Sequence, residues 1–334
     1  MGFIFNRVAM KKAHFLFFFV SLLLFSCKNN NDQIPRKSSG KINTISVVID
    51  DQLWNGDIGD TIRNKFASPV IGLPQEEPLF NINQYPTKLL EGFMTDTRAI
   101  IVVKKAAENK FEIIKNQYAS PQNVIHISGK TASDIIACIE KNSAQIIQII
   151  KDGEIGESQR INEQSLINPT VIANKFQIEI KIPTGYSYVL QKSNFMWLKK
   201  EIIGGNNSLL IYQVPLNTIK QEGDLVSCIV KMRDSIGKMY ISGKEPDTNM
   251  LTEEAYAPYL FKSSHYGRET FETKGTWQLN NDFMSGPFIN YSIIDPDYNR
   301  ILVLEGFCYA PSKDKRDLMH ELEAIIKTVV IKKR

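Results

Sequence analysis

Short apolar runs rich in β-branched residues dominate the first part of the chain. Residues 42–49 and 99–103 have this composition, and two further runs follow at 111–114 and 124–127. Continuous apolar runs of this length are typical of strands that are buried on both faces. The pattern therefore predicts strands in these four segments.

Segments with the periodicity of a helix lie between these predicted strands and after them. Large apolar residues recur at every fourth position from Trp54 to Phe66, which predicts an amphipathic helix. A longer helix is predicted from about residue 133, because isoleucines at 135, 136, 139, 146, 147 and 150 share one helical face. Thr131 and Asp134 have the spacing of a capping box at its start.

A different pattern begins after Asn168 and Pro169, which break the chain. Apolar residues at 176, 178, 180 and 182 alternate with polar ones, and this period of two predicts a half-buried antiparallel strand. A helix is predicted at 218–236, with Gly237 as its stop signal. The remaining apolar patterns predict strands at 196–198, 208–212, 270–279, 288–294 and 300–308, and a final helix with an apolar face between 318 and 330.

Together these elements predict an α+β protein with two mixed halves, residues 42–167 and 168–334. In the C-terminal half, the order of strands, helix, strands and helix predicts an antiparallel sheet covered by helices. At the level of fold alone this arrangement resembles the PsbP-like sandwich, and such a resemblance implies no function.

Residues 1–26 have the features of a bacterial lipoprotein signal peptide. Lys11 and Lys12 precede an 11-residue apolar run at 15–25, which is too short to span a bilayer, since a spanning helix needs about 20 residues. The sequence Leu-Phe-Ser-Cys at 24–27 resembles a lipobox, where a small residue precedes the cysteine that receives lipid. We therefore predict cleavage before Cys27, acylation of that cysteine with diacylglycerol and palmitate, and membrane attachment through the lipid. Met10 is an alternative start to Met1.

Composition after the cleavage site predicts a flexible tether and excludes one class of partner. Residues 27–41 are too polar to form a core. Removal of residues 1–26 takes away Arg7, Lys11 and Lys12 and leaves 37 basic and 36 acidic residues. This balance argues against a nucleic-acid partner, because nucleic-acid binders carry a marked basic excess.

Three cysteines besides Cys27 lie at positions 138, 228 and 308. An odd number leaves at least one thiol unpaired. Because all three lie within apolar helix or strand patterns, we expect them to pack as free thiols.

Motifs for metal or phosphate binding are incomplete. His320 and Glu321 begin an H-E-x-x-H zinc pattern, but its second histidine is replaced by Ala324. We expect His320 on the exposed flank of the last helix. Residues 129–131, Gly-Lys-Thr, would end a phosphate-binding loop, yet Val124 stands where the loop needs glycine. We therefore predict no cofactor and no metal ion.

Aromatic residues and methionine flank a turn signal at residues 277–287, and such residues are enriched at binding surfaces. The same residues could instead fill the core at one end of a sheet. The candidate binding surface consists of Trp277, Asp282, Phe283, Met284 and Phe288.

Several segments resemble the domain-of-unknown-function 4837 family. They are LPQEEPLF at 73–80, Thr97-Arg98 before IIVV, MRDSIGK at 232–238, GTWQLNNDFMSGPF at 275–288 and VLEGFCYAPSKDKRDLMHELEAI at 303–325. The resemblance covers nearly all of the chain after Cys27 and implies a membrane-anchored lipoprotein of the Bacteroidota cell envelope. It supplies no activity, cofactor or catalytic residue. In lipoproteins of this group, acidic residues directly after the lipidated cysteine tend to direct the protein to the cell surface. Here Lys28 and three asparagines come first, and Asp32 is the lone acid of the segment. The resemblance therefore favours an outer-membrane position facing the periplasm.

Three functions are consistent with these observations. The first is a non-catalytic envelope protein that binds or assembles an envelope protein partner. The second is an enzyme acting on envelope polymers, for which His265, Arg268 and Asp282 are the best candidates for acid–base residues. The third is a small-ligand or lipid carrier, which would need a cavity of about 300 Å³ or more.

Overall fold

The computed structural model describes residues 36–220 and 223–333, and residues from Lys37 onward belong to one compact unit. The predictions for the signal peptide, for Cys27 and for most of the tether lie outside the described residues.

Three α-helices and seven strands make up most of the first part of the described chain. The helices are α1 (Asp51–Trp54), α2 (Asp57–Phe66) and α3 (Ala132–Asn162). The strands are β1 (Arg36–Lys37), β2 (Thr44–Ile49), β3 (Asn81–Tyr85), β4 (Ala99–Lys105), β5 (Lys110–Lys115), β6 (Ala119–Ser120) and β7 (Asn123–Gly129).

A five-stranded sheet in the order β3-β2-β4-β7-β5 organises this part. Strands β3, β2, β4 and β7 run parallel, and β5 is antiparallel to β7. Helices α2 and α3 cover one face through a core that includes Ile62, Ile101 and Ile139. A smaller cluster around Ile100 fills the other face. The continuous apolar runs thus correspond to strands with both faces covered.

The start of α3 confirms the predicted capping box. The Thr131 hydroxyl accepts a hydrogen bond from the Asp134 backbone N–H at 3.2 Å, and the Asp134 carboxylate accepts one from the Thr131 N–H at 3.0 Å. These bonds satisfy backbone donors that a helix start leaves unpaired. The predicted helix from Trp54 to Phe66 is instead two helices, because the chain turns at Asn55 and Gly56.

The second part contains three helices and ten strands. The helices are α4 (Thr170–Phe176), α5 (Leu225–Tyr240) and α6 (Arg316–Ile326). The strands are β8 (Ile178–Glu179), β9 (Ser187–Lys192), β10 (Phe195–Ile202), β11 (Gly205–Pro215), β12 (Met250–Thr252), β13 (Tyr259–His265), β14 (Arg268–Leu279), β15 (Ser285–Asp295), β16 (Arg300–Tyr309) and β17 (Val330–Ile331).

An eight-stranded antiparallel sheet organises this second part. Its order is β12-β14-β15-β16-β11-β10-β9, and β13 pairs with the far end of β14. Helices α4 and α6 pack on one face through residues such as Phe176 and Leu322, and α5 packs on the other face through Ile229 and Met232. The predicted α+β class, with an antiparallel sheet covered by helices, is confirmed.

Two local predictions in this part were wrong. The alternating segment 176–182 is not one strand, since Phe176 ends α4, Gln177 adopts a left-handed conformation (φ 54°) and only Ile178–Glu179 pairs with β17. The helix predicted at 218–236 begins later, at Leu225, and it continues past Gly237. A Cβ on Gly237 would lie 2.2 Å from the Met250 carbonyl oxygen, so this glycine permits close packing of β12 on the helix.

The three cysteines are free, with Cys308 buried and Cys138 and Cys228 half-buried. Across the described ranges, no helix combines the length and apolar character needed to cross a membrane.

Candidate functional site

A cleft of about 440 Å³ opens between the antiparallel sheet, with α6 on it, and helix α3, which covers the five-stranded sheet. Its walls are the start of the loop after α2, one face of α3, one face of α6 and the adjacent strands β14 and β15. The volume falls in the range of small-molecule sites, about 300–1,000 Å³. We call this feature the inter-sheet cleft.

Helix α6 presents a polar stripe to the inter-sheet cleft. Arg316, His320, Glu323 and Lys327 are spaced by four, three and four residues, so they lie on one side of the helix and its C-terminal cap. The apolar residues Met319, Leu322 and Ile325 face the sheet. The sequence contains this stripe, but periodicity alone does not tell a cleft wall from a solvated face.

Strand β14 contributes one acidic and one basic side chain to the cleft wall that faces α6. Phe271 and Thr273 are buried toward α5, whereas Glu272 and Lys274 point to the other face and line the cleft. Gly72 of the covering loop has φ +87° and passes so close that a Cβ there would lie 2.8 Å from the Lys274 Cβ. A glycine at position 72 therefore lets the loop close over β14.

Four of these side chains form a connected charge network. The Lys274 ammonium lies 2.8 Å from Glu272 and 3.8 Å from Glu323, and the Lys327 ammonium lies 2.7 Å from Glu323. The Tyr291 hydroxyl donates to Glu323 at 3.2 Å. The network links α6 to the sheet on the cleft side.

Burial and charge shift the pKa values of this network away from neutrality. Desolvation alone would raise the pKa of Glu323, but Lys274 and Lys327 outweigh it and lower the value to about 2. Burial lowers the pKa of Lys274, and the two glutamates overcome this and raise it. Burial, followed by the charge of Glu323, raises the pKa of Tyr291 well above its usual value. The carboxylate therefore stays charged and the hydroxyl stays neutral near pH 7.

Lys151 of α3 differs from the other cations of the inter-sheet cleft. It lies on the same helical face as Gln148 and Ile155, and all three line the cleft. Among the described residues it has neither a hydrogen bond nor a carboxylate within ion-pair distance. Burial lowers the pKa of Lys151, and the nearby charge of Lys274 lowers it further.

His320 is not on an exposed flank, and that prediction was wrong. The side chain is half-buried against α3, where Nε2 lies 3.0 Å from the Ser158 hydroxyl oxygen and 3.3 Å from the Glu154 carbonyl oxygen. Burial lowers the pKa of His320, so the imidazole is neutral near pH 7. Helix α6 contacts α3 here, and this contact joins residues 162 positions apart in sequence.

The LPQEEPLF loop has a structural role at the cleft. The buried Glu77 carboxylate accepts hydrogen bonds from the backbone N–H groups of Lys315 and Arg316 at 2.7 and 2.8 Å. A carboxylate at a helix N-terminus satisfies unpaired donors and stabilises the helix dipole. Glu77 thereby fixes the loop to the start of α6.

A second charged cluster, which the sequence did not reveal, is buried between α5 and the antiparallel sheet. Arg233 of α5 and Glu305 of β16 are both buried, and their Nε and Oε1 atoms lie 2.9 Å apart without hydrogen-bond geometry. Asn290 donates to Glu305 at 2.9 Å, and the Arg233 guanidinium lies 3.7 Å from the Phe288 ring centre. Burial raises the pKa of Glu305. With both charges buried, this cluster holds α5 to the sheet.

The candidate binding surface is only partly a surface. Trp277 and Phe288 are 3% and 1% exposed and belong to the core beneath α5, so their assignment to a surface was wrong. Helix α5 covers the face of the sheet on which these two side chains lie. The alternation of residues along a strand does not show which face a helix covers. Phe283 is fully exposed in the turn between β14 and β15, flanked by half-exposed Asp282 and Met284.

The three acid–base candidates do not form a site. His265 ends β13 and pairs with Arg268 at the start of β14, whereas Asp282 follows the end of β14. A strand of 12 residues separates them by roughly 35 Å, at about 3.3 Å per residue. Instead, His265 contacts the Val329 carbonyl oxygen at 2.7 Å and Arg268 pairs with Asp297 at 2.8 Å. Within the described ranges, histidine, cysteine and carboxylate side chains do not gather in threes that could hold a metal ion.

Comparison with solved structures gives partial likenesses. The Ran-binding protein Mog1p of Saccharomyces cerevisiae is 9% identical, with a TM-score of 0.31, over 47% of this chain and 90% of Mog1p. LpqN of Mycobacterium tuberculosis, described as involved in cell envelope biogenesis, is 10% identical, with a TM-score of 0.28, over 46% of this chain and 83% of LpqN. At these identities and TM-scores, neither likeness carries a functional argument. A comparison with curated proteins found no match.

Two family models match the chain. The model described as Domain of unknown function (DUF8532) matches residues 38–163, which contain the five-stranded sheet. The model described as Domain of unknown function (DUF4837) matches residues 165–328, which contain the antiparallel sheet and α6. Through residues 165–328, the chain belongs to the DUF4837 family.

Proposed function

We propose that this protein is a lipid-anchored cell-envelope protein that binds a ligand in the inter-sheet cleft without transforming it. The observation that carries the proposal is the cleft itself, whose volume of about 440 Å³ exceeds the roughly 300 Å³ that a small-ligand site needs. Its lining combines apolar side chains with a few charged ones, as ligand sites commonly do.

The protonation states of Glu323, Lys274, Tyr291 and His320 support binding rather than catalysis. General acids and bases work best when their pKa lies near the operating pH. The pKa of Glu323 is about 2, those of Lys274 and Tyr291 are raised, and the neutral His320 uses Nε2 in contacts with α3. These groups hold each other in place and are not poised to exchange protons with a substrate.

Blocking the cleft tests this proposal. Ile71 lines the cleft and is 48% exposed, so Ile71→Trp adds volume there without entering the core. Ile203, which is 86% exposed in the turn after β10, offers the same substitution away from the cleft as a control. The full lipoprotein and both variants would be purified from their own membranes and examined by native mass spectrometry. We expect a bound mass on the wild type and on Ile203→Trp that is lost from Ile71→Trp. An identical pattern for all three proteins would refute the proposal.

The lipid anchor rests on the sequence of residues 11–27. Because a single acyl chain gives only marginal binding, stable anchoring needs the several chains of a mature lipoprotein. We expect Cys27→Ala to abolish incorporation of labelled palmitate and to move the protein from the membrane fraction to the soluble one. Cys138→Ala, a control in α3, should change neither result. Retained label in Cys27→Ala would contradict the anchor. Protease accessibility in intact cells then separates the expected periplasmic orientation from a surface one.

The exposed Phe283 favours a second function, contact with an envelope protein partner. Phe283 and the partly exposed Met284 lie next to each other in this turn, and aromatic residues and methionine are enriched at protein interfaces. In-cell cross-linking followed by mass spectrometry should recover a partner that Phe283→Ala loses and Tyr256→Ala, a control with 72% exposure, keeps. Equal recovery from both variants would remove this second function.

A further inference from the structure

We infer that the inter-sheet cleft takes an amphipathic monoanion, an apolar body bearing one carboxylate, and that Lys151 receives the carboxylate. This inference rests on the proposed function and names the ligand class for the same site. It follows from the balance of charges in the cleft, from the burial of Lys151 and from the apolar lining beside it.

The charges of the cleft pair off and leave one cation. Lys274 is matched by Glu272 at 2.8 Å, and Lys327 is matched by Glu323 at 2.7 Å. Arg316 is likewise matched, since its Nε lies 2.9 Å from the Asp317 carboxylate. Lys151 is the cation left over in the described part of the cleft. A ligand with a single negative charge would complete the pairing.

Partial burial makes an unpaired cation costly at this position. An ammonium removed from water is stable only when paired or when it loses its proton. The lowered pKa of Lys151 reflects this cost. A carboxylate placed against Lys151 would restore a charge-assisted hydrogen bond, which is stronger than one between neutral groups. Phosphate monoesters carry about −1.5 to −2 and favour arginine clusters, whereas Arg316 is already engaged by Asp317.

The remaining lining fits an apolar body. Aliphatic and aromatic side chains from the loop, the strands and α6 line the same cleft, namely Val70, Leu73, Leu79, Phe261, Ile289 and Met319. A volume of about 440 Å³ corresponds to roughly fifteen water-sized volumes. A chain of about ten carbons with a carboxylate therefore has suitable dimensions.

Binding of three matched probes tests the inference. The full lipoprotein, cleared of bound lipid in detergent, would be titrated calorimetrically with decanoate, decanol and decyltrimethylammonium. We expect decanoate to bind at least about tenfold more tightly than decanol, from the strength of a hydrogen bond to a charged group. Decyltrimethylammonium should bind more weakly than decanol. Equal affinity for decanoate and decanol would overturn the inference.

Substitutions at Lys151 locate the site. Lys151→Met should lose about tenfold or more in decanoate affinity and keep decanol affinity, and Lys151→Arg should restore decanoate binding. Lys141→Met, at an exposed position of the same helix, should leave all affinities unchanged. Unchanged decanoate binding in Lys151→Met would refute the role of this residue. If decanoate fails to bind while the native bound mass is still lost in Ile71→Trp, the ligand class is wrong and the proposed function stands.

Discussion

The charge network of the inter-sheet cleft predicts a pH-dependent contribution to stability. Glu323 is 20% exposed and accepts from Lys327 and Tyr291, with Lys274 close by. Its pKa is lowered from the ordinary value of 4.5 to about 2 in the folded protein. Because a glutamine resembles a protonated glutamate, Glu323→Gln removes the charge and keeps the shape.

The magnitude follows from proton linkage. A shift of one pKa unit corresponds to about 1.4 kcal/mol, and partial exposure reduces the effect, so Glu323→Gln should cost about 2 to 3 kcal/mol near pH 7. The folded pKa lies below the unfolded one, so the wild-type advantage is complete above about pH 4.5 and is lost as the pH falls toward 2. Near pH 3 the difference should be about 1 kcal/mol or less.

Urea unfolding followed by tryptophan fluorescence, at pH 7 and near pH 3, measures both values. Glu163→Gln serves as a control, because Glu163 pairs with Lys181 at 2.6 Å on the surface, where both side chains are about half exposed. Exposed pairs contribute about 0 to 1 kcal/mol. A cost for Glu323→Gln that does not change with pH, or one no larger than that of the control, would refute the reasoning.

Packing and buried charge give further predictions. Gly237→Ala should lower the free energy of unfolding by about 1 to 3 kcal/mol, because its Cβ would meet the Met250 carbonyl oxygen at 2.2 Å. Gly156→Ala, where a Cβ meets nothing within 4 Å, should raise it by about 0.5 to 1 kcal/mol, and urea unfolding that ranks the two alike would contradict this account. Arg98 and Glu154 form a buried pair with two contacts of 2.9 Å. Removing either charge should cost about 3 to 5 kcal/mol, and a double-mutant cycle should give a double variant less destabilised than the sum; strict additivity would exclude the coupling.

Local signals in the sequence predicted several elements well. The runs at 42–49 and 99–103 became β2 and β4, and Thr131 with Asp134 became the cap of α3. Such features depend on residues close in sequence, so pattern and propensity decide them. The family resemblance was also readable from the segments near the C-terminus, and it is confirmed for residues 165–328.

Prediction failed where a distant contact overrode the local pattern. Residues 176–182 alternate like a strand, yet Phe176 closes a helix and only two residues pair with β17. Gly237 looked like a helix stop, but it allows Met250 to pack closely. Trp277 looked like part of a surface because alternation does not show which face a helix covers.

The sequence by itself determined the class of elements, the approximate strands and helices and the α+β composition. These properties arise from spacing and composition within short windows. Which residues come together in the candidate site depends on the tertiary structure alone. The inter-sheet cleft joins Ile71, Lys151, Lys274 and Glu323, and about 50 to 120 residues separate each of these from the next along the chain. Whether a polar stripe faces water or a cleft depends on how α6 and the antiparallel sheet pack against α3, and that packing depends on contacts between residues far apart in the chain.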